Sequence, residues 1–319
     1  MIHTADYDFL TTDIQFPFFF GEKVIFNLNY KGFRCHSDIF RTPELSSPLP
    51  PLEELQASGS RIAQTISYPI SGKFPRIAIR SGHICYTLRQ YRRLYIDTNK
   101  EFEQYLERFK GKTISTIRRK VRKVEESNIS GPSLRVFTTP EEIGKFVDIA
   151  EGISRKTYQF RLLNQGLQVT EEYKSDYLRK AREKKIIGLI LYAEDTPVAY
   201  NLCPIYGEGT MIYYYTGFDP DYNKYSPGTV LQYLTIKTAC QLEQVKKYDF
   251  CTGEGKHKEL FTDVYKSCAD IFYFPFTPKY IFIVSSKLIY DTALDVVKFL
   301  VKRLGKTERI KKLIRSNAA

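Results

Sequence analysis

The segment DPDYNKYSPGT at residues 219–229 decides how the second half of the chain folds, because it joins a predicted strand to a predicted helix. Ser226 stands at a helix-capping position, Pro227 suits the first helical residue, and Gly228 leaves room for an anion to approach the backbone. The first backbone N–H groups of a helix have no partner within it and lie at the positive end of its dipole. The segment therefore predicts a phosphate site, although Ser-Pro-Gly would also make a good structural cap.

The residues on either side of this segment predict a meander of strands, a helix and one further strand. Apolar runs at 186–193, 198–206 and 210–218 are joined by connections so short that neighbouring strands must be antiparallel. A helix is predicted over 230–243 and a strand over 247–251. This part of the chain is therefore predicted to run from three strands through a loop and a helix to a fourth strand.

Further upstream, the hydrophobic period changes from that of strands to that of helices. Residues 22–97 predict short strands, whereas 102–109 and 111–124 predict two successive amphipathic helices. The second helix carries basic residues that would suit phosphate groups, although a solvated helix face has the same pattern. These residues are Lys112, Arg118, Arg119, Lys120, Arg122 and Lys123. Gly131 and Pro132 then mark a predicted domain boundary.

The composition indicates a folded protein with an anionic partner. The 319 residues allow two domains, and 48 basic against 36 acidic side chains give a net charge of +12. This charge favours nucleotides, nucleic acids or anionic membranes as partners but says nothing about the fold. Six cysteines without any C-x-x-C spacing argue against zinc ribbons and thioredoxin-like sites, and we predict that they are reduced.

The location of the protein is predicted from what its hydrophobic segments lack. The start of the chain has neither the basic nor the apolar region of a signal peptide, and no apolar run approaches the roughly 20 residues of a membrane-spanning helix. We therefore expect a cytoplasmic protein, with peripheral attachment to the inner face of the membrane as an alternative.

The C-terminal region is predicted to be a basic amphipathic helix. Its segment 298–315 has a single acid, Glu308, and suits an anionic membrane surface or an RNA backbone. A helix docked on the domain with a frayed basic tail is the alternative. The basic residues are Lys298, Lys302, Arg303, Lys306, Arg309, Lys311, Lys312 and Arg315.

These patterns together predict a mixed α/β (α+β) fold in three regions. Residues 1–125 form a strand-rich N-terminal half that ends in the basic helix. Residues 126–275 form the central domain, and 276–319 form the C-terminal helix.

Three groups of residues resemble the Gcn5-related N-acetyltransferase (GNAT) superfamily. They are the basic helix 112–124, the loop 222–231 with its Ser-Pro-Gly, and the run Tyr248-Asp249-Phe250 followed by Gly253 and Lys258. Their order is similar to that of a bacterial branch once labelled cellulose-biosynthesis proteins, which is related to the transferases that use aminoacyl-tRNA to build peptidoglycan cross-bridges. The resemblance implies a GNAT-like domain with a central splayed mixed sheet, and an N-terminal half that is a degenerate copy of the same fold.

The resemblance also implies an acyl-CoA donor such as acetyl-CoA, an amine acceptor and no metal. In GNAT enzymes the loop before the helix holds the donor pyrophosphate through backbone amides, and the pantetheine arm pairs with the splayed strand. This loop departs from the commoner Arg/Gln-x-x-Gly-x-Gly/Ala form, since it has one glycine and a proline replaces one N–H donor, which allows a narrower or displaced phosphate site. The donor-binding residues implied are Phe218, Lys224, Tyr225, Ser226, Gly228 and Thr229.

Acyl transfer to an amine needs a base, a group that stabilises the tetrahedral oxyanion and an acid for the leaving thiolate. Asp249 stands among apolar residues on the predicted cleft strand, where burial would raise its pKa toward that of a useful base. The alternative is a structural carboxylate paired with Lys258 or with backbone amides. Lys258 is predicted either to anchor the anionic oxygen or to complete that pair.

Two further side chains are candidates for proton transfer. His257 is the only histidine in this half of the chain, although a histidine between two lysines is commonly a surface residue. The alternation of a strand places Tyr213 and Tyr215 on one face and Tyr214 on the other. Tyr215 is the first choice for protonating the thiolate because it is nearer the loop.

Two rival functions stay open from the sequence. An aminoacyl-tRNA-dependent transferase would bind tRNA through the basic segment 112–123, and a non-catalytic module would bind RNA or a membrane without the chemistry. The acceptor, a small molecule or an amine related to the cell envelope or a polysaccharide, is not defined, because pockets in such folds are built from variable loops. The oligomeric state is not predicted.

Overall fold

The computed structural model describes residues 10–20, 23–157, 166–252 and 255–303. It divides the chain into two compact units, which are Met1–Arg93 with Lys266–Ala319 (unit 1) and Leu94–Tyr265 (unit 2). The strands are β1 (Leu10–Phe20), β2 (Lys23–His36), β3 (Ala63–Pro69), β4 (Ile77–Arg80), β5 (His83–Asp97), β6 (Leu134–Phe137), β7 (Ile186–Ala193), β8 (Thr196–Tyr206), β9 (Thr210–Ile212), β10 (Tyr215–Phe218), β11 (Lys247–Asp249) and β12 (Tyr265–Pro275). The helices are α1 (Leu52–Ser58), α2 (Phe102–Leu106), α3 (Gly111–Glu125), α4 (Pro140–Lys156), α5 (Glu171–Arg182), α6 (Pro227–Gln241), α7 (Lys256–Glu259) and α8 (Pro278–Arg303).

Unit 1 is built on a mixed sheet in the order β1-β2-β3-β12-β5, with β4 added to β5. β1 and β2 form an antiparallel hairpin, β2 runs parallel to β3, and β3 runs antiparallel to β12. Aromatic residues fill its core, where the ring of Phe16 lies edge-on to the rings of Phe272 and Phe274 at centroid distances of 4.9 and 5.1 Å. The Val284 side chain of α8 is buried in the same cluster.

Strand β12 explains why the chain divides near residue 265 and not at the predicted boundary of 275/276. No strand is predicted from the sequence in this segment. In the structure, β12 pairs with β3 and buries Phe272 and Phe274 in the core of unit 1. Pro275 and Pro278 therefore separate β12 from α8, and both elements belong to the same unit.

The basic helix α3 lies in unit 2, so the N-terminal division also differs from the predicted boundary of 125/126. Its apolar residues Ile117, Val121 and Val124 are buried in one cluster with residues of α6. The preceding helix α2 packs there too, with the Phe102 and Tyr233 ring centroids 5.1 Å apart. Since α2 and α3 bury their apolar faces within unit 2, that unit begins inside β5.

Unit 2 has a sheet in the order β5-β11-β9-β8-β7-β6, and β10 adds to β8. β9 and β11 are parallel, whereas the other pairs are antiparallel. Helices cover both faces, as the side chains of β7 demonstrate: Ile187 and Leu189 join the cluster formed with α2, α3 and α6, while Ile186 and Ile190 join the cluster formed with α4 and α5. The predicted mixed α+β class with a central splayed sheet is confirmed.

The third strand of the meander is interrupted, which corrects the prediction of one strand over residues 210–218. β9 ends at Ile212 and β10 begins at Tyr215. The interruption breaks the alternation of side chains, so Tyr213 and Tyr215 do not share a face. Tyr213 packs on the α6 side of the sheet, and Tyr215 packs on the α4 and α5 side.

Four remaining predictions concern membrane-spanning helices, the cysteines, the C-terminal basic residues and the N-terminal half. No helix within the described ranges is long and apolar enough to cross a membrane. The six cysteines are free thiols, in line with the sequence. The basic residues beyond Arg303 lie outside the described part of the chain, and the tandem arrangement of two GNAT-like halves stays a prediction.

Candidate functional site

The sheet of unit 2 opens at the carboxyl end of β11. Residues 247–249 pair in parallel with residues 210–212, and the Tyr213 N–H donates to the Asp249 carbonyl at 2.8 Å. Beyond this contact the chain turns away, and β10 pairs with β8 instead. β9 and β11 are thus paired over three positions only. Beyond these positions the chain continues as β10, which is separated from β11 by a cleft.

The edge of β10 that faces the cleft has backbone groups that pair with none of the described strands. Gly217 pairs with Tyr200 of β8, and the Asp219 N–H donates to the Val198 carbonyl at 2.8 Å. Because successive residues of a strand direct their N–H and C=O groups to opposite edges, the groups of Thr216 and Phe218 point away from β8. An extended ligand can add here as a further strand.

Gly217 is required for this arrangement of β10. A Cβ atom at this position would lie 2.6 Å from the Tyr200 ring and 2.7 Å from Cγ2 of Thr157. Real Cβ atoms do not approach this closely, so a larger residue would push β10 away from β8.

The N-terminus of α6 lies beside the end of β10, since a Cβ atom on Gly228 would lie 3.5 Å from the Phe218 ring. Ser226 occupies the N-cap position in a left-handed conformation (φ 53°), and its carbonyl accepts the N–H groups of Thr229 and Val230. Pro227 has no N–H, and within the described residues the Gly228 N–H has no acceptor. One backbone donor of the first turn is therefore available for an anion.

The predicted capping role of the Ser226 side chain is corrected by this geometry. Its hydroxyl makes no capping hydrogen bond, because the left-handed backbone of Ser226 turns the side chain away from the first helical turn. The residue instead closes the preceding 3-10 turn, with its N–H donating to the Asn223 carbonyl at 2.9 Å. The helix begins at Pro227, the residue predicted to suit the first helical position, although the predicted span began at 230.

The loop before α6 is held from two sides by side chains of other elements. Glu194, in the β7–β8 turn, accepts from Lys224 Nζ and from the Tyr225 hydroxyl, each at 2.7 Å. These hydrogen bonds lower the pKa of Glu194, Lys224 contributing most. On the other side, Lys123 of α3 donates to the Lys224 carbonyl at 2.9 Å. The predicted donor residues Lys224 and Tyr225 thus fix the loop through their side chains.

The start of the same loop is fixed by a buried acid. Asp219 accepts from Lys156 Nζ of α4 at 2.7 Å and from the Asp221 N–H at 3.1 Å. The bond to Asp219 raises the pKa of Lys156. The loop therefore leaves β10 in one defined direction.

A buried polar layer lies on the α6 side of the opened sheet. Asn201 of β8 donates to the Thr235 hydroxyl at 2.8 Å, and Gln232 donates to the Tyr248 hydroxyl at 2.8 Å. Gln232 and Thr235 are three residues apart, so both pairs converge on one face of α6. In the described part of the chain, the amide oxygens of Asn201 and Gln232 have no hydrogen-bond donor although both are buried. Such orphaned acceptors are costly unless a ligand or water supplies an N–H or O–H.

Asp249 is fully buried at the fork of the sheet. Its Oδ1 accepts the Cys251 N–H at 2.8 Å, and Cys251 adopts a left-handed conformation with φ 59°. Non-glycine residues rarely take this conformation, and such strain is concentrated at functional sites. The carboxylate therefore shapes the backbone at the end of β11, which agrees with the alternative that it bonds to backbone amides.

Lys258 and His257 follow on the short helix α7. Lys258 is buried, and its Nζ donates to the Phe250 and Thr252 carbonyls at 2.8 and 2.7 Å. His257 is exposed, and its pKa is lowered by desolvation and by the Lys258 ammonium. The structure brings Lys258 to the end of β11, whereas His257 lies at the surface beside it.

Tyr215 belongs to a group of tyrosines on the α4 and α5 side of the sheet, opposite to the polar layer on the α6 side. Its ring lies 4.6 Å from that of the exposed Tyr214 and 6.3 Å from that of Tyr177 on α5. Burial raises the pKa of Tyr215, so its hydroxyl keeps its proton at neutral pH. The Tyr177 hydroxyl is buried and interacts with that of Tyr215.

The structure thus gathers the predicted residues into two groups. Phe218, Ser226, Gly228 and Thr229 surround the N-terminus of α6, and Asp249 and Lys258 lie at the end of β11. Glu194, Asp219, Asn201 and Gln232 were missed, because their partners are distant in sequence and no local pattern marks them. Among the described residues, no group of three or more His, Cys, Asp or Glu side chains is arranged to hold a metal ion.

A comparison with protein families finds a match over the part of the chain that holds this site. Residues 111–259 match the model of the acetyltransferase (GNAT) domain family, a range that includes both β11 and the N-terminus of α6. A comparison with curated proteins finds no match.

Solved structures show similar folds at low sequence identity. L-PGS from Bacillus licheniformis is 13% identical over 75% of this chain and 76% of that chain, with a TM-score of 0.46. FemX is 9% identical over 86% of this chain and 90% of that chain, with a TM-score of 0.44. A GCN5-related N-acetyltransferase from Kribbella flavida is 9% identical over 77% and 82%, with a TM-score of 0.39.

Proposed function

We propose that this chain, whose residues 111–259 match the acetyltransferase (GNAT) domain family, transfers the acyl group of an acyl-CoA to an amine. The observation that carries the proposal is the separation of β10 from β11 beside the free N–H of Gly228. In an acyl-CoA an arm with two amide groups leads from the thioester to a pyrophosphate. The open strand edge suits the first of these, and the helix N-terminus suits the second.

The donor is placed by backbone groups more than by charges. The pantetheine amides would pair with the free N–H and C=O groups of Thr216 and Phe218, as an added strand does. The pyrophosphate would accept from the Gly228 N–H and from the Thr229 hydroxyl at the positive end of α6. Because Lys224 is already paired with Glu194, it acts on the loop and not directly on the phosphates.

The orphaned oxygens of Asn201 and Gln232 support the same placement. Both are hydrogen-bond acceptors in a buried layer next to the opened strands. A bound donor with amide N–H or hydroxyl groups would satisfy them and remove the cost of leaving them unpaired. This layer would make donor binding favourable without a cationic side chain.

The chemistry is a direct transfer. The amine nitrogen attacks the thioester carbonyl carbon, the carbonyl oxygen becomes the oxyanion, and the C–S bond then breaks to release the thiolate. The ammonium proton passes to Asp249, directly or through a water, and the thiolate takes a proton from the hydroxyl of Tyr215. Asp249 then releases its proton to solvent and the Tyr215 oxygen takes one up from solvent, which restores both groups. Lys258 keeps the end of β11 in place through the two carbonyls that it binds. His257 is the alternative proton acceptor, since its lowered pKa leaves it neutral at pH 7.

A second candidate uses an aminoacyl-tRNA as the donor. It is favoured by the position of α3, whose Lys123 contacts the carbonyl of Lys224 in the donor loop while Arg119 and Arg122 are exposed. A nucleic acid that lies along α3 would bring its phosphates to the same loop. In both cases an acyl group is transferred to an amine of a small-molecule, cell-envelope or polysaccharide acceptor.

Calorimetric titration of the full chain separates these functions. We expect acetyl-CoA or a longer acyl-CoA to bind with one site per chain. If no CoA species binds, the favoured donor is refuted; binding of charged tRNA alone would assign the second function. Binding of neither class would leave a non-catalytic module.

A further inference from the structure

Unit 1 exposes a row of apolar side chains on α8. Phe282 is 74% exposed and Ile289 is 69% exposed, although Val284 on the same helix is buried. Phe282, Ile289 and Val296 follow one another at intervals of seven residues, which is about two helical turns, so they lie along one face. The exposed large apolar residues toward the C-terminal end of α8 join them. We call this set the helix patch: Phe282, Ile289, Val296, Val297, Phe299 and Leu300.

The β1–β2 hairpin places a second exposed apolar group next to α8. Phe26 stacks on Phe18 with ring centroids 4.4 Å apart, and Phe18 packs edge-on against Tyr290 of α8 at 5.4 Å. The Tyr290 hydroxyl also donates to the Phe19 carbonyl at 2.9 Å, which ties the hairpin to the helix. The hairpin patch consists of Phe20, Val24, Ile25 and Phe26, each more than one-third exposed.

The charge distribution of α8 suits an anionic partner, because its acids are paired and its C-terminal end is basic. Both acids of the helix are paired within unit 1: Asp291 with Lys287 at 2.5 Å, and Asp295 with Arg76 at 3.1 Å. Arg303, in the last described turn, is exposed. Lys298 and Lys302 add two more basic residues to this end of α8. The exposed apolar row therefore leads into a strongly basic end.

We propose that the helix patch and the hairpin patch together dock unit 1 on an anionic phospholipid bilayer. Exposed Phe, Ile, Leu and Val side chains enter the boundary between headgroups and acyl chains, while the basic end of α8 attracts lipid phosphates. Because the exposed apolar row follows the length of α8, the helix would lie in the plane of the bilayer surface. A second copy of the chain would cover the apolar row but would bring two basic ends together, so the charge favours lipid. The proposal does not depend on the identity of the acyl donor.

Sedimentation of the full chain with lipid vesicles tests this surface without any acyl donor. We expect binding to vesicles of phosphatidylcholine with phosphatidylglycerol, much weaker binding to phosphatidylcholine alone, and a decrease as salt is raised. The double variant Ile289→Glu/Val296→Glu should lower the affinity at least tenfold. Ile129→Glu is the matched control, because Ile129 is 94% exposed in unit 2 and should leave binding unchanged.

Two further variants separate the contribution of the basic residues to vesicle binding from that of the apolar side chains. Lys298→Gln/Lys302→Gln should weaken binding to the anionic vesicles and reduce its salt dependence, because it removes two of the positive charges of α8. Phe282→Ser replaces the double variant if circular dichroism reveals that the latter is misfolded. The proposal is overturned if the parent does not sediment with anionic vesicles, or if folded apolar-row variants bind as tightly as the parent. Light scattering that reveals a lipid-free dimer, broken by Ile289→Glu/Val296→Glu, would assign the row to a second copy and also overturn it.

Discussion

Ile212 and Asp249 are the last facing residues of the parallel pair β9–β11, and the two strands separate directly beyond them. The Tyr213 N–H closes the pair by donating to the Asp249 carbonyl, after which β10 pairs with β8. A buried carboxylate therefore stands where the sheet opens. This coincidence links the fold to the proposed chemistry, because a group at the fork reaches a ligand that lies in the cleft.

Gly228→Val should weaken acyl-CoA binding at least tenfold and leave the fold intact. The new Cβ would make an ordinary contact of 3.5 Å with the Phe218 ring, so the side chain fits, but its methyl groups would cover the free N–H of the first turn. Calorimetry gives the affinity, and thermal unfolding checks the fold. Gly111→Val is the matched control, since Gly111 begins α3 and a Cβ there meets nothing. Unchanged affinity in Gly228→Val would place the phosphates elsewhere.

Asp249→Asn should keep donor affinity and lower turnover by about 100-fold, within the range typical for general base catalysis. The Asn oxygen can still accept the Cys251 N–H, so the backbone of the fork should persist, whereas the amide cannot take a proton. Turnover is measured at saturating donor and acceptor. If full turnover is retained, Asp249 is structural and the chemistry rests on Tyr215, His257 or a bound water.

Asn201→Leu separates a ligand-binding role of the buried polar layer from a structural one. The Thr235 hydroxyl would still donate to the Leu231 carbonyl at 2.7 Å, and the orphaned amide oxygen would be removed. We expect the free energy of unfolding to change by less than about 1 kcal/mol. Donor affinity should fall about tenfold, as for one lost hydrogen bond of about 1.4 kcal/mol. A loss of stability with no loss of affinity would show that the layer serves only the fold.

The sequence predicts those parts of unit 2 that depend on local patterns. Hydrophobic period and short connections define β7 and β8, and Pro227 with Gly228 locates the start of α6 within a few residues. The break between β9 and β10 has no local signal, because the run of tyrosines at 213–215 continues the pattern of a strand. It results from tertiary pairing, in which β9 meets β11 and β10 meets β8.

Long-range partners also explain what was missed elsewhere. The hydrogen bonds of Glu194 join a hairpin turn to a loop about thirty residues away. Neither segment has a sequence pattern that predicts this contact. Strand β12 pairs with β3, about two hundred residues earlier in the chain, so its return to unit 1 could not be deduced from sequence order. The burial of Lys258 could not be predicted from the sequence either, since a Lys-His-Lys tripeptide is typical of a solvent-exposed segment.

His257 should titrate below its usual pKa of 6.5, because desolvation and the Lys258 ammonium both disfavour its charged form. Between the pKa of His257 in the folded chain and 6.5, the unfolded chain binds more protons than the folded chain. The contribution of His257 to the free energy of unfolding therefore rises with pH over this range, and the rise ends above pH 6.5. NMR titration of the imidazole signals measures the pKa, and Lys258→Gln should raise it. A pKa at or above 6.5 in the parent would contradict this prediction, and His257→Gln should reduce the gain in stability between pH 5 and pH 7.

Lys287 and Asp291 should be strongly coupled in the stability of unit 1. Lys287 is completely buried, its Nζ lies 2.5 Å from Asp291 Oδ1, and the Tyr86 hydroxyl donates to the other carboxylate oxygen. Asp291→Asn keeps an acceptor for Tyr86 but leaves a buried ammonium without its counter-ion, so we expect a loss of about 3–5 kcal/mol. Lys287→Met in the same chain removes that charge and should restore most of the loss, because apolar replacement of buried ion pairs is often nearly neutral. Urea unfolding of the parent, both single variants and the double variant gives the coupling energy; additive single effects would contradict the prediction.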